Sequence, residues 1–129
     1  IAATHRVVNS AILAALPASL RDQEAGVRVD TPERWQGLER KLMIVVHPLS
    51  GVVHPSAFDL ETGRLCVMAS RHRSGMVIVS RDNVLDTLHT HIPWAEQAVG
   101  RPDITGRGHQ QNLYLWETLQ RAGAVVQAS

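Results

Sequence analysis

Arg64, Arg71 and Arg73 are the residues of this chain whose type and spacing most directly suggest chemistry. A guanidinium is always charged and can donate paired hydrogen bonds to phosphate oxygens. Arg64 precedes Arg71 by seven residues, about two helical turns, so both can project from nearly the same face of a helix. Ser70-Arg71-His72-Arg73 then leads straight into an apolar stretch, which puts two guanidiniums at the entry of a strand. On spacing alone, a solvated face balanced by Asp59, Glu61 and Asp82 accounts for these arginines as well.

A second candidate is Gln36-Gly37-Leu38-Glu39, in a turn ahead of an apolar run. A glycine there lets the backbone approach a ligand closely, and a carboxylate there can bond sugar hydroxyls. Taken by itself the tetrapeptide is equally a plain turn, and Trp35 beside it reads as a packing anchor. His89, His91 and the more distant His109 invite a metal reading, because H-x-H with a remote third ligand recurs in JAMM-type metalloproteases. The serine and aspartate that such a site needs are missing, and Asp103 is a poor match. Zinc requires three or four ligands with supporting partners, so these are read as surface or turn histidines beside Pro93 and Trp94, and no metal is expected. Cys66, the one cysteine, is read as a buried small apolar residue.

Short apolar runs alternating with helical patterns must position these groups, which predicts an α/β domain with a mostly parallel sheet. Ile1–Thr4 is a candidate first strand. Val7, Val8, Ala11, Ile12, Ala15 and Leu16 recur at helical spacing, and Pro17 should end or bend that helix. Val27–Asp30 reads as a short strand, Leu42–His47 as a central buried strand, and Pro48–Pro55 as a loop. Asp59 is placed to cap a helix from Leu60 to about Ser70, with Leu65, Met68 and Ala69 on one face. Met76–Ser80 reads as another buried strand, followed by a helix from Asp82 through Leu88. His89–Gly108 is expected to be mostly connection. A last helix from about His109 to Arg121 should close at Gly123, with Ala124–Gln127 a candidate final strand.

The chain has 129 residues, 44% apolar and 19% charged, with a formal charge of +1. That is one domain's length and a globular composition, with no global attraction to nucleic acid. One cysteine excludes an internal disulfide and suits a reducing, cytoplasmic setting. No apolar run is long enough for a membrane span, and no signal peptide is visible. The chain opens on Ile1 inside an apolar stretch, as an excised domain would.

Taken together, the segments resemble superfamily 1 helicases of the nonsense-decay and DNA-replication branch. Thr31-Pro-Glu-Arg-Trp-Gln-Gly-Leu-Glu39 is similar to that family's motif V, T-V-D-x-F-Q-G-x-E. Arg64-Leu-Cys-Val-Met-Ala-Ser-Arg-His-Arg73 is similar to motif VI, R-L-N-V-A-L-T-R-A-R, and Thr4-His-Arg6 looks like a modified motif IV. The resemblance covers roughly residues 1–88. It implies a RecA-like (P-loop NTPase-like) fold with helices on both faces of the sheet, residues 1–129 being the second such domain of a longer chain.

The resemblance also implies roles. Arg71 would be the finger that reaches the γ-phosphate of ATP, and Arg6 a second sensor of that phosphate. Gln36 and Gly37 would lie beside the phosphates, Glu39 would bond the ribose, and Arg73 would be the second arginine of the nucleotide site. Thr31 would touch the backbone of single-stranded nucleic acid. ATP with Mg²⁺ would be held mainly by a first RecA-like domain, because this sequence has no G-x-x-x-x-G-K-S/T phosphate loop. Alone, the chain is not expected to hydrolyse ATP. His5 stands at the motif IV tyrosine, Val8 at its glutamine, and Pro32 and Cys66 also depart from the family patterns. The alternative is a non-catalytic RecA-like module that binds nucleic acid or protein. Trp94, Arg101, Arg107, Tyr114 and Trp116 lie beyond the resemblance. They could stack on and neutralise a single strand, or Leu113, Trp116, Leu119 and Val125 could pack a closing helix on the sheet.

Overall fold

The computed structural model of the chain describes residues 1–22, 26–91 and 104–128, with the backbone alone for 104 and 105. Helix α1 (Arg6–Ala15) ends just before Pro17, and α2 (Ala18–Arg21) is a single turn after it. Pro32 starts the one-turn helix α3 (Pro32–Trp35), where its missing N–H removes no helical bond. Strand β1 (Arg40–Val46) connects through α4 (Thr62–Ala69) to strand β2 (His72–Val79). Helix α5 (Asn83–Thr90) and the long α6 (Ile104–Arg121) complete the described elements.

The two strands pair in parallel, from Leu42 opposite Gly75 to Val46 opposite Val79, with an irregularity between Arg40 and Leu42. A parallel pair needs a crossover, and α4 supplies it. The expected strands at Ile1–Thr4 and Val27–Asp30 are reduced to single bridges, Ala2 pairing in parallel with both Asp30 and Val45. Ala2 N–H donates to Ile44 O and Val46 N–H to Ala2 O, each at 2.9 Å. The spatial order is therefore Asp30 segment, Ala2 segment, β1, β2. The architecture is mixed helix and strand around a two-stranded parallel sheet.

One face of that sheet is covered. Met43 and Val45 pack with Ala2, Trp35 and Met68, and Leu38, Val67, Met76 and Ile78 surround them. The other face corrects the expectation of fully buried strands: Leu42 is 70% exposed and Val77 59%, with Ile44 and Val79 also open. Continuous apolar runs suggest burial on both sides, but α4 covers only the Met43 face and β2 has no neighbour beyond it among the described residues.

A second cluster joins Leu49, Leu60, Val84 and Leu88 to Leu113 and Trp116 of α6. Its tight point is Gly108, where an added Cβ would overlap the Leu60 carbonyl oxygen. Gly108 was expected in a connection; it lies inside α6, which begins at Ile104. At the far end Gly123 (φ +64°) closes the helix, its N–H donating to Gln120 O and Ala124 N–H to Leu119 O. Ala124–Gln127 forms no strand, and Val125 is exposed rather than packed. Pro93, Trp94, Arg101 and Asp103 lie outside the described residues.

Two more expectations need correction. The helix expected from Leu60 starts at Thr62 with Glu61 at its cap position. Asp59 is committed elsewhere, its Oδ2 accepting from the Ser56 N–H and hydroxyl. Cys66 is exposed rather than buried, because Leu65 and Met68, three residues apart, take the inward face of α4.

Candidate functional site

At the carboxyl ends of the Ala2 and Asp30 segments lies a cavity of about 320 Å³. Thr4, His5 and Arg6 follow the first segment, Thr31, Glu33 and Arg34 follow the second, and Phe58 comes from the β1–α4 connection. Spatial and chain order part company here, since the Ala2 segment has the later Asp30 segment on one side and β1 on the other. In open α/β sheets ligands settle outside the carboxyl ends of strands at such a reversal. Arg6 and Thr31 thus line one cavity.

Charge in the cavity is partly spoken for. Arg34 approaches Asp30 at 3.7 Å, while Arg6 has no ion-pair partner among the described residues. Arg64 donates to Glu33 at 2.8 Å, pairs with Glu61, and lies 3.9 Å from the centre of the Phe58 ring. Burial works against ionisation of Glu33. Hydrogen bonds from its own backbone, from Arg64 and from Thr31, together with the Arg64 charge, outweigh it and hold the carboxyl below its usual range. Arg64 is thus neutralised mostly by Glu33 and Glu61 rather than by Asp59 or Asp82.

His5 is tied down from two sides. Its Nε2 donates to Oδ1 of the buried Asp59 at 3.2 Å, and its ring lies 5.2 Å from that of Phe58, tilted by 37°. It makes no side-chain cap bond to α1. Asn9, on the same helix, donates to Ala3 O at 2.9 Å and pins α1 against the first segment.

The remaining candidates collect at the other end of the sheet. Arg40 N–H donates to Arg71 O, which sets the entry edge of β1 and β2. β1 has seven residues, which at ~3.3 Å each separates the two edges by about 20 Å. At the entry edge Arg73 donates to Glu39 at 2.9 Å, and the Arg71 guanidinium folds onto the Ser70 hydroxyl at 2.9 Å. Gln36 is exposed there, and Gly37 takes φ +74°, a left-handed turn that only glycine adopts without strain. Trp35 beside them is a buried anchor, its ring flanked by Arg28 and Arg40 at 5.6 Å. The structure brings together Arg6 with Thr31, and Glu39 with Arg73. It does not bring Arg71 to Arg6.

Sequence reasoning did not place Glu33, Arg34 or Phe58 at the cavity. Glu33 and Arg34 follow Thr31 directly, so the rule about carboxyl strand ends could have found them; Phe58 carries no such signal. Among the described residues no group of three or more His, Cys, Asp and Glu side chains is arranged to hold a metal. His109 instead donates to Leu88 O at 2.6 Å. Nor is any described helix long and apolar enough to cross a membrane. Comparison with protein-family models, curated proteins and solved structures gave no match.

Proposed function

We propose that this chain is the C-terminal RecA-like half of a superfamily 1 helicase or related nucleic-acid-dependent ATPase. It would act in the cytoplasm, against a first RecA-like domain that binds ATP and Mg²⁺ and supplies the phosphate loop. What carries the reading is the ordered occurrence of Thr4-His-Arg6, Thr31–Glu39 and Arg64–Arg73, each ahead of or behind an extended segment at a sheet edge. In this reading Arg71, Arg73, Glu39, Gln36 and Gly37 face the nucleotide across the domain interface. Arg71 is then free to leave Ser70 and neutralise charge that develops during hydrolysis. The sheet that these motifs frame would be extended by further parallel strands and covered by helices on its open face.

One observation favours the alternative, a RecA-like module that binds without catalysing: Arg6 and Arg71 sit at opposite edges of the sheet, and Glu39 is engaged by Arg73. Two arginines so placed do not share one γ-phosphate, so Arg6 would serve a different phosphate, that of the strand held near Thr31.

The deciding experiment takes the native polypeptide carrying this segment, establishes whether it includes G-x-x-x-x-G-K-S/T, and measures strand-stimulated ATP hydrolysis with and without Arg71→Ala. A finger role predicts a loss of about 10³-fold or more in kcat. Hydrolysis that survives Arg71→Ala, or the lack of a phosphate loop in cis and in trans, leaves the binding module as the account.

A further inference from the structure

Helix α1 starts at the cavity with its first turn uncapped. His5 at the cap position makes no side-chain cap bond, and the first turn carries no acidic residue. Val8 and Asn9 donate their N–H groups to His5 O, while those of Arg6 and Val7 meet no acceptor among the described residues. Unpaired N–H groups at a helix N-terminus favour negative charge. The residue ahead of the cap adds an independent observation. Thr4 lines the cavity, is 6% exposed, and its hydroxyl has no hydrogen-bond partner among the described residues. Most buried hydroxyls are paired, so an unpaired one on a cavity wall marks where a ligand atom belongs. Arg6 lines the same cavity with an exposed guanidinium that no described carboxylate meets.

We propose that this cavity binds a small organic carboxylate at the N-terminus of α1. The Arg6 guanidinium donates paired hydrogen bonds to its two oxygens. The N–H groups of Arg6 and Val7 and the Thr4 hydroxyl donate to the lone pairs that remain. The surrounding charges select a ligand with a single negative charge. Arg28 and Arg34 share Asp30, Arg64 is met by Glu33 and Glu61, and His5 by Asp59. Arg6 is the one described cation around the cavity without a carboxylate beside it. Glu33 on the cavity wall repels any further negative charge, which disfavours a nucleotide or a strand of successive phosphates here. A volume of about 320 Å³ is at the lower end for ligand pockets, so the acid is small. The proposal rests on these donors and charges alone, and it holds whether or not Arg71 acts as a finger.

The test follows the backbone amides of Arg6 and Val7 by NMR while the full chain is titrated with sodium propionate, sodium chloride holding the ionic strength constant. Propionate should shift both amides saturably in the millimolar range. Arg6→Gln, at an exposed position, should weaken binding by about tenfold or more. Thr4→Val, which keeps the shape and removes the hydroxyl, should weaken it by about three- to tenfold. Binding that Thr4→Val leaves unchanged is diffuse attraction to Arg6 and overturns the site; Arg6→Gln stands as the test should Thr4→Val not fold. Shifts that chloride alone reproduces, or that rise without saturating, overturn the proposal too. Inorganic phosphate and a single-stranded oligothymidylate are titrated in parallel. If either binds more tightly than propionate at these amides, the carboxylate is wrong and the cavity belongs to a phosphate. None of these results touches the role proposed for Arg71, whose test is ATP hydrolysis.

Discussion

Replacing Gly108 by alanine tests the packing of α6 with opposing effects of known size. On helix propensity alone the change should stabilise by about 1 kcal/mol, since glycine inside a helix leaves the unfolded chain more freedom to lose. The structure predicts the reverse. The new Cβ would overlap the Leu60 carbonyl oxygen and lie 2.7 Å from its carbon. Both atoms are backbone, so no rotamer relieves the contact. Helix α6 must lift away, separating Leu113 and Trp116 from Leu49, Leu60, Val84 and Leu88. Overpacking costs about 1–3 kcal/mol; with no rotamer to relieve the contact the cost lies at the top of that range, and net of the propensity gain Gly108→Ala should destabilise by about 2 kcal/mol. Gly63→Ala on α4 is the control, because its Cβ would meet nothing closer than a Glu61 carboxylate oxygen at 3.8 Å. That substitution should stabilise by up to about 1 kcal/mol. Urea unfolding of the two variants beside wild type reads both values from shifted midpoints at unchanged slope. If Gly108→Ala stabilises as Gly63→Ala does, α6 does not approach Leu60 as described.

Acid should weaken the fold through His47, whose pKa burial lowers to about 4 from 6.5 although the nearby Asn112 side chain pulls the other way. The unfolded chain binds this proton more readily, so the loss begins below pH 6.5 and grows to roughly 3 kcal/mol by pH 4. His47→Gln should flatten that part of the stability profile; an unchanged slope between pH 6.5 and 4 would contradict the assignment. Asn83 ties the Leu49–Val52 turn to α5, accepting from Gly51 N–H at 2.8 Å and donating to Leu49 O, Val52 O and Thr87 Oγ1. Asn83→Ala should cost about 2 kcal/mol and speed hydrogen exchange at the Gly51 amide, and unaltered protection there would refute this role.

Much of the element order was legible because periodicity and punctuation agreed. Pro17 ends α1, Gly123 ends α6, and the apolar runs around Met43 and Ile78 are the two strands. Burial was harder to read. Leu42, Ile44, Val77 and Val79 are chemically indistinguishable from core residues, and only the path of α4 decides which face of the sheet it covers. Gly106 and Gly108 looked like loop residues because propensity disfavours glycine in a helix, but close packing on Leu60 overrides propensity at Gly108. Asp59 had the right spacing for a cap; the nearer Ser56 hydroxyl and His5 imidazole, distant in sequence, compete for it. At the site, the motif-like segments placed Arg6 and Thr31 without predicting that they would share a cavity. That proximity depends on two parallel bridges at Ala2 which local sequence does not encode.

On the proposed reading, the position of Arg6 decides how the two ends of the sheet would divide their work. An arginine that served the same γ-phosphate as Arg71 would have to lie at the entry edge, near Arg40 and Ser70. It instead begins the helix after the Ala2 segment, level with the far end of β1. Asn9 holds that helix to Ala3, and Asp59 holds its neighbour His5, so Arg6 cannot migrate across the sheet without breaking both. The arginines of the entry edge are held more loosely, Arg71 on a serine hydroxyl and Arg73 in an exposed pair with Glu39. Exposed pairs of that kind contribute about 0–1 kcal/mol, which a ligand phosphate or a facing domain can readily replace. On the proposed reading, a fixed cavity at one edge and easily redirected arginines at the other would serve two different contacts, one made within this domain and one made across an interface.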